Sequence, residues 1–232
     1  IIDPSGKIFF LDNGFYEVIN SPFVSSNSDE SIKVDNPLDS NREYLRTNIT
    51  NSLLDNLVFN ERRQKDSIKL FEISDVYTSN NNEINKKRRL SIVASGRVGH
   101  NYEDFSKKIN KKYLNKIFNE ALSEESFDFQ VLARDSLKTK IKNEIIGCEV
   151  DINNFSTNVL NYKEATKSPS HFTQYQSISD LPYSKRDLSF SIKNPSKCKP
   201  LENFILSFKN KLLKDVFIFD YYNNEKKQEI KI

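Results

Sequence analysis

Arg46-Thr47-Asn48-Ile49-Thr50, Leu53-Leu54 and Leu70-Phe71-Glu72-Ile73 decide how this chain is read. Ile49, Leu53, Leu54, Leu57 and Val58 recur at the spacing of one helical stripe, which predicts a helix over about Thr50–Arg63. Thr47 or Asn48 stands where a cap is needed, because short oxygen-bearing side chains accept from the free N–H groups of a first turn. Ser67–Thr78 then reads as a strand with Ile68 and Leu70 pointing inward. Glu72 is the exception on that strand. An acid among apolar neighbours needs a cation, and Arg46 is the expected partner in a structural pair.

Upstream, Lys7–Asn13 reads as the end of a helix, with Gly14 in the left-handed position that stops it. Tyr16–Phe23 follows as a strand, then the polar loop Ser25–Ser31, then a turn at Asn36-Pro37, where the proline drives its predecessor out of helical geometry. Downstream, Ser79–Lys87 reads as a loop of Asn and charges and Arg88–Val98 as a strand. Phe105–Leu122 reads as a helix with Ile109, Tyr113, Ile117 and Leu122 inward, and Phe127–Ala133 and Glu144–Ile152 as strands. Helices flanking a sheet without regular βαβ alternation favour an α+β fold with antiparallel pairing.

The last segment has its own pattern. Leu188, Phe190 and Ile192 alternate as a strand. Pro200 suits a first helical turn, and Leu201, Phe204, Ile205, Phe208 and Leu212 follow at helical spacing. Val216–Tyr221 reads as a strand, Asn223-Asn224 as a hairpin turn, and Glu225–Ile232 as a third strand. This β-α-β-β order is the first part of a ferredoxin-like domain, expected to leave a sheet face uncovered and an edge unpaired. The expected organisation is one domain over 1–160, a linker over 161–180 and a second domain over 181–232.

Bulk composition narrows the function. The 232 residues are 37% hydrophobic and 29% charged, which indicates a water-exposed chain with room for real cores. No stretch reaches the ~18–20 apolar residues of a membrane helix. Ile1–Leu11 lacks a basic leader pattern, so the expected compartment is cytoplasmic. The chain opens Ile1-Ile2-Asp3 without Met, the expected mark of a piece of something longer. Net charge is +3, but residues 176–232 hold eleven Lys/Arg against seven Asp/Glu, a net of +4, where phosphates would be attracted. Surplus lysines usually face solvent, so the balance alone assigns no partner.

Catalytic patterns are missing. Cys148 and Cys198 form no CxxC pair and have no neighbouring histidine, and His100 and His171 are isolated. Five glycines exclude a P-loop or dinucleotide fingerprint, and Gly96-Arg97-Val98-Gly99 reads as a turn.

Taken in order, Asn36-Pro37-Leu38, Arg46-Thr47, Leu53-Leu54, Asn60, Leu70-Phe71-Glu72-Ile73, Lys185-Arg186-Asp187-Leu188-Ser189-Phe190 and Phe219-Asp220-Tyr221-Tyr222 resemble the C-terminal part of the β subunit of bacterial phenylalanine–tRNA ligases. The resemblance runs from about Gly14 to the last residue. It departs over 97–143, where the expected tryptophan and a His-Pro-Gly segment are absent. It implies an inactive class II synthetase-like antiparallel sheet with helices, followed by a truncated ferredoxin-like anticodon-binding domain. Catalysis would lie on an α subunit in an α2β2 complex that joins phenylalanine to tRNA(Phe) with ATP and Mg2+. Neither cofactor would be bound by this chain, whose strand over 67–78 lacks the arginine that grips ATP. Arg46 and Thr47 would help build the subunit interface, and no membrane is implied. Asp220 and Tyr222 would meet an anticodon base, with Lys226 and Lys227 holding the RNA backbone. Arg186-Asp187 reads as a strand-start ion pair, while Lys185 and Lys193 are placed to touch phosphate. One alternative is a freestanding tRNA-binding module on an inactive synthetase fold, distinguished by tRNA binding without an α partner. Another is a self-sufficient ligase, distinguished by pyrophosphate exchange from this chain alone.

Overall fold

The structure, a computed structural model, describes residues 9–25, 30–80, 83–99, 104, 107–121, 127–135, 137, 139, 141–152, 177, 184–208, 210, 212–213, 215–218, 220–224 and 229–231. The chain divides into two compact units, one of residues 1–98 and 108–162, the other of residues 99–107 and 163–232.

A five-stranded sheet organises the first unit. Its strands are β1 (Tyr16–Glu17), β4 (Ser67–Asn80), β5 (Glu83–Gly96), β6 (Gln130–Leu132) and β7 (Ile145–Asp151), in the order β1-β4-β5-β7-β6. All neighbours are antiparallel except β1, which runs parallel to β4 with Tyr16 opposite Leu70. The sheet is therefore mixed rather than wholly antiparallel. A separate small ribbon pairs β2 (Phe23–Val24) with β3 (Tyr44–Leu45), so the strand expected over Tyr16–Phe23 is two short pieces.

Alternation along β4 feeds two cores, because successive side chains leave a strand on opposite faces. Ile68, Leu70 and Val76 meet helix α1 (Thr50–Glu61), whose Leu53, Leu57 and Val58 form the predicted stripe. Phe71 enters the other layer with Phe10, Phe15, Leu90, Ile92, Leu114 and Phe118. Each large apolar side chain buried this way contributes roughly 1.5–3 kcal/mol. The helical turn at 9–12 ends where expected, at Gly14 with φ +75°. Helix α2 (Lys111–Ala121) is shorter than the span Phe105–Leu122, because Asn110 caps it by accepting from Tyr113 N at 2.8 Å. Among its described side chains Leu114 and Phe118 are fully buried, while Tyr113 and Ile117 are only partly buried. Leu122 lies outside the described residues.

The expected loop Ser79–Lys87 is a correction. Residues 79–80 close β4 and residues 83–87 open β5, and the register continues through Thr78 opposite Asn85 and Ser79 opposite Ile84. A two-stranded ribbon wetted on both faces needs no hydrophobic alternation, so its polar composition imitates a loop. At the other end of β5, Gly96 has φ +95°, and a Cβ there would stand 1.9 Å from Asp66 O, so only glycine fits. The strand expected over Phe127–Ala133 shrinks to β6, and that over Glu144–Ile152 is β7.

The second unit carries a three-stranded sheet in the order β8-β10-β9, from β8 (Ser191–Ile192), β9 (Tyr222–Asn224) and β10 (Glu229–Lys231). β10 is antiparallel to both neighbours. A 3-10 turn (Pro195–Lys197) leads into α3 (Cys198–Ser207), which ends at Phe208 in an extended conformation. Phe208 and Leu212 thus lie beyond the helix instead of extending its stripe. The described residues of 216–221 are not strand; β9 begins at Tyr222 and contains Asn223-Asn224, which are therefore not the hairpin turn. Residue type misled here, since Asn is common in turns yet sits in this short edge strand. Apart from Ser177, the linker 161–180 lies outside the described residues.

Candidate functional site

Arg46 follows β3 and is held by its backbone: its N–H donates to Pro22 O at 2.9 Å and its carbonyl accepts from Tyr77 N at 3.0 Å. Its side chain turns inward, where Arg46 Nη2 lies 2.9 Å from Glu72 Oε1 with the two side chains 2% and 1% exposed. Arg46 Nε donates to Asp75 O at 3.3 Å. The pair expected from sequence is present. Glu72 also accepts from Asn20, at Oε1 from the backbone N–H and at Oε2 from Nδ2 at 2.7 Å, and Asn20 Oδ1 accepts from Asn56 Nδ2. This relay ties β4, the segment after β1 and α1 together. The charges are met at 2.9 Å, while Arg46 Nη1 has no hydrogen-bond partner among the described residues.

Thr47 and Asn48 carry the chain into α1. Asn48 Oδ1 accepts from Asn51 N at 3.0 Å, the local cap expected. The rest of the capping is remote. Glu149 on β7 accepts from Ile49 N, Thr50 N and Thr50 Oγ1 at 2.6–3.0 Å, and its other oxygen meets Arg89 Nη1 at 3.1 Å. A carboxylate at a helix N-terminus satisfies free N–H groups and opposes the positive end of the helix dipole. At the far end of α1, Glu61 forms a bidentate pair with Arg134, joined by Ser95 and Thr139. Glu149 carries the same sequence signal as Glu72, an acid beside an apolar run; Asn20 carries none.

A cleft of about 450 Å3 opens between α1 and the β2–β3 ribbon, lined among others by Asn20, Phe23, Arg46, Thr47, Asn51 and Asp55. Thr47 therefore stands at an accessible polar wall, while Arg46 lies at its base. Among the described residues no group of three or more His, Cys, Asp or Glu could hold a metal. β4 contains no arginine, and Phe10 stacks on Phe71 at 4.4 Å in the layer opposite α1.

Cys148 is buried on β7, and burial first, then the Asp128 carboxylate, pushes its thiol from an ordinary 9.0 to about 11. It is an inert core thiol. A thiolate-selective reagent at pH 8 is expected to leave Cys148 unmodified in the folded chain and to modify it in denaturant, read by mass spectrometry. Because the folded value is raised, its contribution to stability is whole below about pH 9 and is lost as pH climbs towards 11.

In the second unit Asp220 and Tyr222 are exposed, Tyr222 at 60%, at the start of β9. Asp220 Oδ1 accepts from Tyr221 N at 2.9 Å. Lys193 is exposed. Arg186 donates to Lys185 O instead of pairing with Asp187, since both side chains stand in water, where an ion pair gains little. Lys226 and Lys227 lie outside the described residues. No helix among the described residues is long and apolar enough to cross a membrane.

The family model of the phenylalanyl tRNA synthetase beta chain CLM domain matches residues 7–145. The phenylalanine–tRNA ligase beta subunit of Bacillus cereus is 22% identical over 95% of this chain and 32% of its own length. That of Mycoplasma mycoides is 28% identical over 72% of this chain and 24% of its own length, and that of Helicobacter hepaticus 36% identical over 36% and 11%. A solved pyrrolysyl tRNA synthetase from Desulfitobacterium hafniense superposes with a TM-score of 0.43 at 13% identity, covering 62% of this chain and 61% of that one. The chain spans about a third of the length of the Bacillus relatives it matches. Residues 7–145 are well over half of its length, and the chain belongs to the phenylalanyl tRNA synthetase beta chain family.

Proposed function

We propose that this chain is a non-catalytic part of a phenylalanine–tRNA ligase β subunit, lending scaffold, subunit interface and anticodon contact to a complex that esterifies tRNA(Phe) with phenylalanine. The observation that carries this reading is the family match over residues 7–145, supported by relatives of that description along 95% of the chain. ATP and Mg2+ belong to the α subunit of a cytoplasmic α2β2 assembly. The residues here do not fit the nucleotide: β4 offers no arginine to a phosphate, and the layer opposite α1 is filled by Phe10, Phe71 and Phe118. Arg46 and Thr47 serve the interface differently, Arg46 as the buried brace and Thr47 at the accessible wall.

The second unit acts as a ferredoxin-like anticodon-binding domain. Its sheet order β8-β10-β9, with α3 between the outer strands in sequence, supports that reading. Tyr222 offers an exposed ring on which an unpaired base stacks, and the free Asp220 oxygen accepts from a base edge. Lys226, Lys227 and Lys193 hold phosphates. In the assembled ligase, Tyr222→Ala is expected to weaken tRNA(Phe) binding by ~1–3 kcal/mol, roughly 5- to 150-fold, by filter binding. Phenylalanine-dependent pyrophosphate exchange should stay at the wild-type rate. Equal loss of both activities would refute this division of labour.

A further inference from the structure

From Asp75 opposite Arg88 to Asn80 opposite Glu83, β4 and β5 run past their other sheet neighbours, since β7 pairs only as far as Arg89 and β1 only with Leu70 and Phe71. At ~3.3 Å per residue this two-stranded arm is roughly 20 Å long. It is braced from one side: Tyr77 N donates to Arg46 O at 3.0 Å and Ser79 N to Glu30 O at 2.8 Å. Residues 83–88 are all exposed, and they hold Lys86, Lys87 and Arg88 against one acid, Glu83 at the tip. Alternation puts Lys86 and Arg88 on one face with Asp75 and Tyr77, and Lys87 on the other. Asp75 Oδ2 lies 2.9 Å from Lys86 Nζ, and Asp75 Oδ1 lies 3.5 Å from Arg88 Nη1. The carboxylate forms the floor of this group at 20% exposed, while the two cations stand out at 59% and 53%. One anion beneath two cations leaves the outer surface positive. It also holds them apart, because residues i and i+2 of a strand are about 6.5 Å from each other, a separation comparable to that of successive phosphates along an RNA strand. A hydrogen bond from Lys86 to Asp75, together with the charge of that carboxylate, raises the lysine pKa and keeps the ammonium charged. Arg89, by contrast, is taken by Glu149 at 3.1 Å.

Such a surface selects a polyanion with evenly spaced charges. Tyr77 is partly buried and offers no open ring to an unpaired base, so the contact is to backbone. A narrow ribbon suits the wide, shallow minor groove of an RNA duplex, where recognition runs through phosphates and sugars. We infer that this arm of β4 and β5 docks on a double-helical stem of tRNA(Phe), with Lys86 and Arg88 on neighbouring phosphates. The inference rests on the ligase reading above and adds a second RNA contact, carried by the first unit and reading no bases.

The test measures tRNA(Phe) binding to the assembled ligase by filter binding across a salt series. For Lys86→Gln/Arg88→Gln, two lost phosphate contacts should make log Kd depend less steeply on log salt, by about 2 in slope. Binding should be weaker than wild type at low salt and converge with it at high salt. Asp75→Asn should tighten binding, because the competing anion is gone while both cations remain. Tyr222→Ala, which loses a stacked base, should keep the wild-type slope. Lys112→Gln/Lys116→Gln, on the exposed side of α2, should keep it as well; an equal drop there would assign the effect to net charge and overturn the inference. An unchanged slope for Lys86→Gln/Arg88→Gln, or loss of subunit association in its place, overturns the inference and leaves the ligase reading standing. Failure of the wild-type ligase to bind tRNA(Phe) overturns both.

Discussion

Glu72→Ala is expected to lower the stability of the first unit by ~3–5 kcal/mol, the cost of leaving a buried charge without its partner. The two side chains are almost wholly buried at 2.9 Å, so water cannot replace the missing carboxylate. Asn20 loses its acceptors in the same step, and the relay to Asn56 on α1 loosens with it. For a unit of this size, that corresponds to a fall in Tm of roughly 6–20 °C, measured by calorimetry. The double variant Arg46→Met/Glu72→Leu should recover much of the loss, because an apolar pair of similar volume needs no compensation in a buried site. Glu72→Gln should fall between, keeping an acceptor for Asn20 while removing the charge. A loss below about 1 kcal/mol for Glu72→Ala would mean that water reaches Arg46 after all, and that the pair behaves as an exposed one.

The same pair shows what a sequence reveals and what it conceals. Glu72 was visible because Leu70, Phe71 and Ile73 surround it, and an acid there must be neutralised. The stripe of α1 and the stop at Gly14 were visible for similarly local reasons, side-chain period and backbone freedom. The remote capping of α1 by Glu149 was not, since the two meet only through the β5–β7 pairing about a hundred residues downstream. Polar strands carry no such local signal. The outer part of the β4–β5 ribbon is wet on both faces, so nothing in its side chains contrasts with a loop. In β9, Asn223 and Asn224 carry turn chemistry yet pair with Ile230 and Glu229. Tertiary pairing outweighs local preference there, as it does for most edge strands. The cleft was legible only in part: Arg46 and Thr47 stood out, but Asn20 joins them solely through the fold.

Phe118→Ala is expected to cost a further large amount, ~3–5 kcal/mol, through lost burial plus the cavity left behind. Phe118 is 1% exposed, and its ring lies 4.8–6.0 Å from those of Phe9, Phe10, Phe15, Phe127 and Phe129. All five of these contacts are edge-on or tilted, the arrangement in which a ring's positive edge meets a neighbour's negative face. Three separated segments therefore meet on one side chain: the turn at 9–15, α2, and residues 127–129 leading into β6. Removing the ring opens a cavity where these segments meet, which places the effect within that range. Phe118→Leu should cost clearly less, because it refills most of the volume while forfeiting the ring geometry. Calorimetry on both variants separates packing from aromatic contact, and near-ultraviolet circular dichroism should lose intensity in both. If alanine and leucine prove equally damaging, ring–ring geometry rather than filled volume holds this layer together.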